Sequence, residues 1–239
     1  MLKLAVTGCY GRMGKRITQL ALEDSVFKVV CLLEQVDRCR QADDIGGVSV
    51  SSDIGAVKDA DVLIDFTTPE ATMENVAKCV EHSVKMVIGT TGLDAEQQQR
   101  IKDASEKIAI VFSSNMSVGV NILFKLTQIA AGKTAGVYNI RIEEAHHVHK
   151  KDAPSGTAKT LAKIAEDASL SKVGDIKSIR EGEIIGDHTI TFESEEDIII
   201  LSHHAKTRDI FAKGALVAAK FVFEKDKGLY DMQDVLGLS

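Results

Sequence analysis

The feature that most restricts how this chain can fold is its first turn. Leu2 to Thr7 is a short apolar strand pattern, and Gly8-Cys9-Tyr10-Gly11-Arg12-Met13-Gly14 follows it directly. A helix carrying Ile17, Leu20 and Ala21 comes next, then a second apolar strand, Val26 to Leu33, which ends at Glu34. Strand, glycine turn, helix and strand make a βαβ unit, and such units build parallel sheets with both faces covered. Gly8 permits the tight turn, Gly11 lets a pyrophosphate approach the backbone, and Gly14 lets the helix pack on the strand. Glu34 lies twenty residues after Gly14, where an acidic side chain hydrogen-bonds an adenosine ribose. The spacing is G-x-x-G-x-x-G rather than G-x-G-x-x-G. From the motif alone, a structural turn in some other α/β protein therefore stays open.

The pattern continues. Asp61 to Phe66, Val84 to Ile88 and Ile108 to Phe112 are strand patterns that end in Thr67-Thr68-Pro69-Glu70, Gly89-Thr90-Thr91-Gly92 and Ser113-Ser114-Asn115-Met116-Ser117. Pro69 suits the first turn of a helix, and Asp94 opens a polar helix to Lys107. Residues 35–52 read as a polar surface connection. In a doubly wound sheet such strand ends line the ligand crevice, although strand-to-helix turns use small polar residues anyway. Val118 to Ala131 is an apolar helix joining two domains. Strand patterns then recur at 137–144, 176–179, 188–193 and 197–203, enough for one open sheet. The continuous run Ile198-Ile199-Ile200-Leu201 predicts a strand covered on both faces. Phe211 to Phe223 is an amphipathic helix, and Tyr230-Asp231-Met232 starts a last turn. The fold class expected is α/β: a Rossmann-type doubly wound dinucleotide-binding domain plus an α+β domain with an open mixed sheet.

The densest chemistry lies at 143–158. Three histidines and two lysines fall within the six residues 146–151, and Ala153-Pro154-Ser155-Gly156-Thr157 leads into an apolar helical pattern. Ser155 is a good N-cap type, so the N–H groups of Gly156, Thr157 and Ala158 are expected to point out of the helix end, where a carboxylate or phosphate is favoured. Gly156 allows close approach to the backbone. Lys150 adds a full positive charge, and His146 or His147 adds a group that can give a proton near neutral pH. These parts suit a small dianionic substrate that must be held and protonated. A basic surface loop ahead of a capped helix is the plainer reading. Metal ligation by His146, His147 and His149 fits poorly, because their spacing is not an i, i+4 helical pair and no nearby Cys completes a set. No metal is expected.

Composition removes other classes. Across 239 residues the net charge is −6, which argues against wholesale nucleic-acid binding. No apolar run approaches the ~20 residues that span a bilayer. The strand pattern begins at Leu2, so no leader is expected. Cys9, Cys31, Cys39 and Cys79 form no C-x-x-C pair, which fits free thiols in a reducing cytoplasm. None of Tyr10, Tyr138 and Tyr230 has a Lys four residues on, so the Tyr-x-x-x-Lys chemistry of short-chain dehydrogenases is missing. A non-catalytic dinucleotide sensor remains as a rival of a different class.

His146-His147-x-x-Lys150-x-Asp152-Ala153-Pro154-Ser155-Gly156-Thr157-Ala158 resembles the signature of the dihydrodipicolinate (4-hydroxy-tetrahydrodipicolinate) reductase family. That family comprises NAD(P)H-dependent enzymes of lysine and diaminopimelate biosynthesis. Asp-Phe-Thr-x-Pro-Glu, Gly-Thr-Thr-Gly and Ser-Asn-x-Ser-Val-Gly-Val-Asn are similar to family segments around the cofactor, and the likeness runs over nearly the whole chain. The resemblance implies His146 as proton donor and Lys150 as a catalytic donor that also binds a carboxylate. It further implies His147, Gly156 and Thr157 as substrate ligands. For NADH or NADPH it implies Gly8 to Gly14, Glu34, Gly89, Thr90, Thr91 and Ser113 to Met116. Adjacent His146 and His147 cannot both face one site on an extended backbone, so the loop must bend or one of them is structural.

The resemblance also implies a discontinuous dinucleotide-binding domain, 1–117 and 208–239, and a substrate-binding and oligomerisation domain, 118–207, through which the family is tetrameric. Members that handle a 2′-phosphate often carry Arg after the acid. Here Gln35 stands there, with Arg12, Arg38 and Arg40 elsewhere nearby, so NADH is expected to serve at least as well as NADPH. One departure is a shortened segment before Arg180-x-Gly-x-x-x-Gly-x-His188, which bears on the oligomer interface and the site lid.

Overall fold

The computed structural model describes residues 1–39 and 44–239; Arg40 lies outside them. Two compact units emerge, one of residues 1–117, 211–237 and 239, the other of residues 118–210 and 238.

The first unit opens with β1 (Leu2–Thr7), α1 (Arg12–Glu23) and β2 (Phe27–Leu33), then β3 (Asp44–Ile45), β4 (Val48–Ser51) and β5 (Val62–Asp65). It continues with α2 (Pro69–His82), β6 (Lys85–Ile88), α3 (Ala95–Ser105) and β7 (Ala109–Phe112). β1 runs parallel to β2 and β5, β5 to β6, and β6 to β7. These strands are continuous apolar runs because helices cover the sheet: Leu63, Ile64, Met86, Ile88 and Ile110 are fully buried. Caps set the helix starts. Thr68 accepts from the Ala71 amide with Pro69 in the first turn, and Asp94 forms a capping box with Gln97.

The second unit holds α4 (Val118–Thr134), β8 (Asn139–His146), α5 (Gly156–Ser169), β9 (Lys177–Arg180), β10 (Asp187–Glu193) and β11 (Ile198–His204). Its four-stranded sheet has the order β11-β10-β8-β9, with β10 antiparallel to both neighbours and β8 parallel to β9. α4 and α5 lie on the sheet and share a core with it that includes Phe124, Ile142, Leu161, Ile190 and Phe192. Side chains along β8 and β10 alternate between buried and open, the period-2 signature of a sheet with one covered face.

β11 corrects an expectation. Its apolar run is not covered on both faces within this chain: Ile198 is 54% and Ile200 62% exposed. β11 is an edge strand, and the register pairs Ile199 and Leu201 with the buried Phe192 and Ile190, so Ile198 and Ile200 fall on the other face.

The chain then returns to the first unit through α6 (Asp209–Phe223), β12 (Gly228–Tyr230) and α7 (Met232–Val235). At Gly214 a Cβ would come within 1.7 Å of the Met116 carbonyl oxygen, so only glycine lets α6 lie this close. Among the described residues the sheet has eight strands in the order β12-β7-β6-β5-β1-β2-β4-β3. Three of its strands were not expected. Asp44–Ile45 and Val48–Ser51 lie inside the stretch read as a surface connection, the first antiparallel to the second and the second parallel to β2, and Gly228–Tyr230, whose last residue was read as starting a turn, pairs parallel with β7. Each is four residues or fewer, too short to carry a periodic signal.

Candidate active site

In the first unit the glycine turn folds back on itself. Gly8 takes φ +63°, and its carbonyl accepts from the Gly11 amide at 2.8 Å. A Cβ on Gly14 would sit 2.1 Å from that same carbonyl oxygen, so a side chain there would push α1 away from the turn. Glu34, just past β2, reaches across: its Oε2 accepts from the Tyr10 amide at 2.9 Å and its Oε1 from the Gln35 amide at 3.1 Å. A cavity of about 460 Å³ opens beside these groups, lined among others by Gly8, Gly11, Glu34, Gln35, Arg38, Phe66 and Thr67. A bare glycine turn at a helix start, a carboxylate at the end of the next strand and a cavity of this size fit a dinucleotide.

The other residues expected to hold a dinucleotide lie outside that lining. Cys9, Thr90 and Met116 are buried in the packing, at 0%, 3% and 1% exposure. Burial and the nearby Glu34 charge push the Cys9 thiol up to about 12, so it supplies shape rather than a thiolate. The Thr90 hydroxyl accepts from the Thr67 amide at 3.1 Å and the Thr72 hydroxyl at 2.9 Å, and Ser113 donates to the Asn115 carbonyl at 3.0 Å. These residues shape the strand-end turns. Tyr10, Met13, Gly89 and Asn115 are partly exposed there, and Arg12, Thr91 and Ser114 are exposed.

Sequence reasoning missed Asp65. Its carboxylate, fully buried, accepts from Thr7, Thr67 and Asn75 side chains at 3.1, 2.6 and 3.0 Å. It ties the end of β1 to the turn after β5 and to α2. An acid closing an apolar strand was the available signal.

In the second unit β8 delivers the chemistry. Glu144 and His146 are two residues apart on one strand, so both face the covered side, at 1% and 8% exposure. His146 Nδ1 pairs with Glu144 Oε2. Arg180, at the end of β9, reaches both Glu144 oxygens, at 2.8 Å from Nη2 and 3.0 Å from Nη1. The Ser155 amide adds a longer bond of 3.3 Å. Burial alone would raise the Glu144 carboxyl. The hydrogen bonds from Arg180 and His146 outweigh it and hold the group at about 2. For His146, burial pulls the ring below its ordinary value and Glu144 partly offsets that. His188, on β10, meets the His146 ring edge to face at 5.1 Å, with Nε2 3.1 Å from the Ser155 hydroxyl. Burial, helped by His146, depresses His188 to about 4, so it is neutral at pH 7.

β8 ends at His146, and the chain turns immediately, with the Lys150 amide donating to the His147 carbonyl at 3.1 Å. His147 therefore leaves the strand; it is half-buried, with Nε2 3.3 Å from Arg208. Lys150 is paired with Asp152 at 2.7 Å. Ser155 caps α5 as expected, but its hydroxyl accepts from the Ala158 amide at 3.2 Å. That corrects one expectation: Ala158 does not offer its N–H to a ligand. Gly156 is exposed and Thr157 half-buried at the start of the helix, and a Cβ on Gly156 would meet no atom within 4 Å. His146, Lys150, Ser155 and the α5 start thus converge on one end of this sheet.

Glu144, His146 and His188 each present a ligand atom, all within 4.8 Å of one another. This is not the His146, His147 and His149 set weighed from the sequence. The Arg180 guanidinium on both Glu144 oxygens opposes a second cation there. Glu144, Arg180 and His188 are the residues that sequence reasoning left without a role; Glu-x-His on a strand was the signal for the first.

Two family models match the chain, "Dihydrodipicolinate reductase, N-terminus" over residues 2–116 and "Dihydrodipicolinate reductase, C-terminus" over residues 119–236. A 4-hydroxy-tetrahydrodipicolinate reductase from Nitrosomonas eutropha is 42% identical, covering 100% of this chain and 99% of its own. That alignment runs over 265 positions, 26 more than the 239 residues here, so the relative carries residues this chain lacks. The protein of the same name from Syntrophus aciditrophicus is 39% identical over 99% of each chain. Among solved structures, a dipicolinate-bound dihydrodipicolinate reductase from Paenisporosarcina sp. TG-14 superposes with TM-score 0.86 at 25% identity, covering 98% of both chains. A probable dehydrogenase from Thermotoga maritima shares the fold, with TM-score 0.69 at 13% identity over 99% of this chain and 93% of its own.

Proposed function

The chain belongs to the dihydrodipicolinate reductase family, and from that premise we propose how its residues divide the work of reducing 4-hydroxy-tetrahydrodipicolinate in lysine and diaminopimelate biosynthesis. Residues 1–117 and 208–239 carry the nicotinamide dinucleotide, and residues 118–207 carry the substrate and self-associate. The observation behind the proton chemistry is His146, buried at the end of β8 against Glu144, with Lys150 and the start of α5 at the same end of the sheet.

In the first unit the Gly8–Gly14 turn and the α1 start receive the pyrophosphate, and Glu34 receives the adenosine ribose. The turns at Gly89 to Thr91 and Ser113 to Met116 shape the nicotinamide end. When bound, the reduced nicotinamide supplies a hydride to the ring. The dianionic substrate binds through one carboxylate at Gly156 and Thr157 and the other at Lys150, with His147 as a further ligand. Substrate must draw Lys150 away from Asp152. The ring hydroxyl leaves with a hydrogen of the neighbouring carbon as water, and His146 gives its proton to the ring carbon next to the one that gains the hydride, so hydride and proton together bring two electrons and two protons. The net reaction adds one hydride and one proton and releases one water.

NADH serves at least as well as NADPH, because the Glu34 carboxylate beside the cavity repels a 2′-phosphate and Gln35 offers no compensating charge. Arg38 on the same lining is the residue through which NADPH would still bind. A homotetramer forms through the helix-free face of the second sheet, where Ile198 and Ile200 stand exposed. No helix among the described residues is long and apolar enough to cross a membrane. The four unpaired cysteines suit a reducing cytoplasm.

The test is oxidation of NADH and of NADPH by the purified chain, with substrate supplied freshly by the preceding synthase reaction and pyridine-2,6-dicarboxylate as planar competitor. Turnover that the competitor blocks, lost in His146→Gln, is the expected result. NADH binding without turnover would instead support a dinucleotide sensor.

A further inference from the structure

Glu144 and Arg180 belong to no role assigned above, yet Glu144 holds one nitrogen of His146 and Arg180 holds Glu144. The Glu144 carboxylate is fully enclosed, with a side-chain exposure of 0%. It takes two prongs from Arg180, the Ser155 amide and His146 Nδ1. An ionised carboxylate only accepts hydrogen bonds, so the His146 nitrogen facing it must carry a hydrogen. Arg180 is anchored in turn: Nη1 donates to the Ile179 carbonyl and Nη2 to the Asp152 carbonyl, both at 2.6 Å. Glu144 thus cannot swing away without breaking a fork that also holds the loop bearing Lys150.

The opposite nitrogen of the ring is kept accessible by a missing side chain. A Cβ on Gly186 would sit 3.1 Å from His146 Nε2 and 3.4 Å from its Cδ2. Glycine at 186 leaves room at the ring nitrogen that Glu144 does not occupy.

We propose that Glu144, clamped by Arg180, is a positioning residue that holds His146 with its hydrogen on Nδ1 and so reserves Nε2 for proton exchange with the substrate. The proposal rests on His146 as the proton donor. The acid gives its proton from Nε2 and returns to the Nδ1–H form, which Glu144 already favours, so no ring flip separates turnovers.

The charged and titratable groups facing His146 are Glu144 on its own strand, Lys150 from the following loop, Arg180 on β9 and His188 on β10. Glu144 is the only anion among them. Its removal therefore lowers the pH at which His146 holds a proton, and the alkaline limb of the rate profile must move to lower pH.

Two measurements decide it. In Glu144→Gln, kcat falls about 10- to 100-fold, KM for the dinucleotide stays unchanged, and the alkaline limb shifts to lower pH. A merely structural role would scale activity with folded fraction and leave the limb in place. Nitrogen-15 NMR of the histidine rings in the unaltered protein, with His146 assigned by its loss in His146→Gln, reads the tautomer directly and does not depend on whether Glu144→Gln folds. The hydrogen on Nδ1 is expected. A hydrogen on Nε2 in the neutral ring, or Glu144→Gln with parental kcat and an unmoved limb, overturns the proposal. Full kcat in His146→Gln would overturn the proton-donor reading instead, and with it the use proposed for the reserved nitrogen.

Discussion

Replacing Arg180 by Met tests the buried ion pair in isolation from catalysis. The substitution keeps an unbranched apolar stem and removes the guanidinium, leaving Glu144 enclosed with its charge opposed only by hydrogen bonds. The size of the loss can be worked in two ways. The Glu144 carboxyl sits at about 2 rather than its ordinary 4.5, with burial opposing and Arg180 the largest lowering partner beside Ser178 and His146; at ~1.36 kcal/mol per pH unit the net separation is worth about 3 kcal/mol. Removing one partner of a buried pair independently costs about 3–5 kcal/mol, because a bare charge stays behind. At ~2 °C per kcal/mol, the low end for a chain of this size, Tm should fall by at least about 6 °C at pH 7.

The pH dependence has a definite sign. A carboxyl whose folded value lies below its unfolded one stabilises fully above the unfolded value and loses that contribution as pH falls through the folded one. The parent's advantage over Arg180→Met should therefore be complete above about pH 4.5 and fade between there and about pH 2. Adding Glu144→Gln to Arg180→Met should recover at least half of the lost Tm, since no bare charge remains. Thermal unfolding of the parent, the single and the double variant is the assay. A single variant within 2 °C of the parent, or a double variant no better than the single, would refute the reasoning.

Three further outcomes are expected. Asp152→Asn frees Lys150 from its 2.7 Å partner and should lower KM for the dicarboxylate by up to about 5-fold, the scale of a half-exposed ion pair; an unchanged or higher KM in steady-state kinetics argues against Lys150 as a carboxylate ligand. Gly14→Ala brings a Cβ to 2.1 Å from the Gly8 carbonyl, so the turn must shift, and NADH affinity by fluorescence titration should weaken more than about 10-fold; an effect under 2-fold would detach Gly14 from the dinucleotide site. Ile200→Lys places a charge on the helix-free sheet face where Ile200 is 62% exposed, and light scattering should show the proposed tetramer dissociating without loss of Tm in the monomer. A tetramer that survives means another surface joins the subunits.

Much of this protein is local and legible in the sequence. The glycine turn between two apolar strands read as a βαβ entry from its spacing, and a side chain at Gly14 would indeed meet backbone. Ser155 declared a helix start, and α5 runs over Gly156–Ser169 with the cap as read. His146 and Lys150 stood out as titratable and cationic groups ahead of a helix start, and it was the family resemblance that singled them out from a basic surface loop.

What stayed hidden depends on partners distant in the chain. β4 and β12 are strands only because β2 and β7 offer unpaired edges, and three or four residues carry no period of their own. The apolar run in β11 reads the same whether its faces are covered by this chain or left open, and its edge position decided that. Ala158 looked available until the cap bond took its amide. Glu144 is separated from Arg180 by thirty-six residues, and a Glu on an alternating strand is ordinarily a solvated side chain. Only the pairing of β8 with β9 brings the guanidinium to it. Sequence alone determines chemistry and local backbone, because those follow from residue type and spacing. Which acid orients which histidine is a matter of strand register, and register is set by the whole sheet.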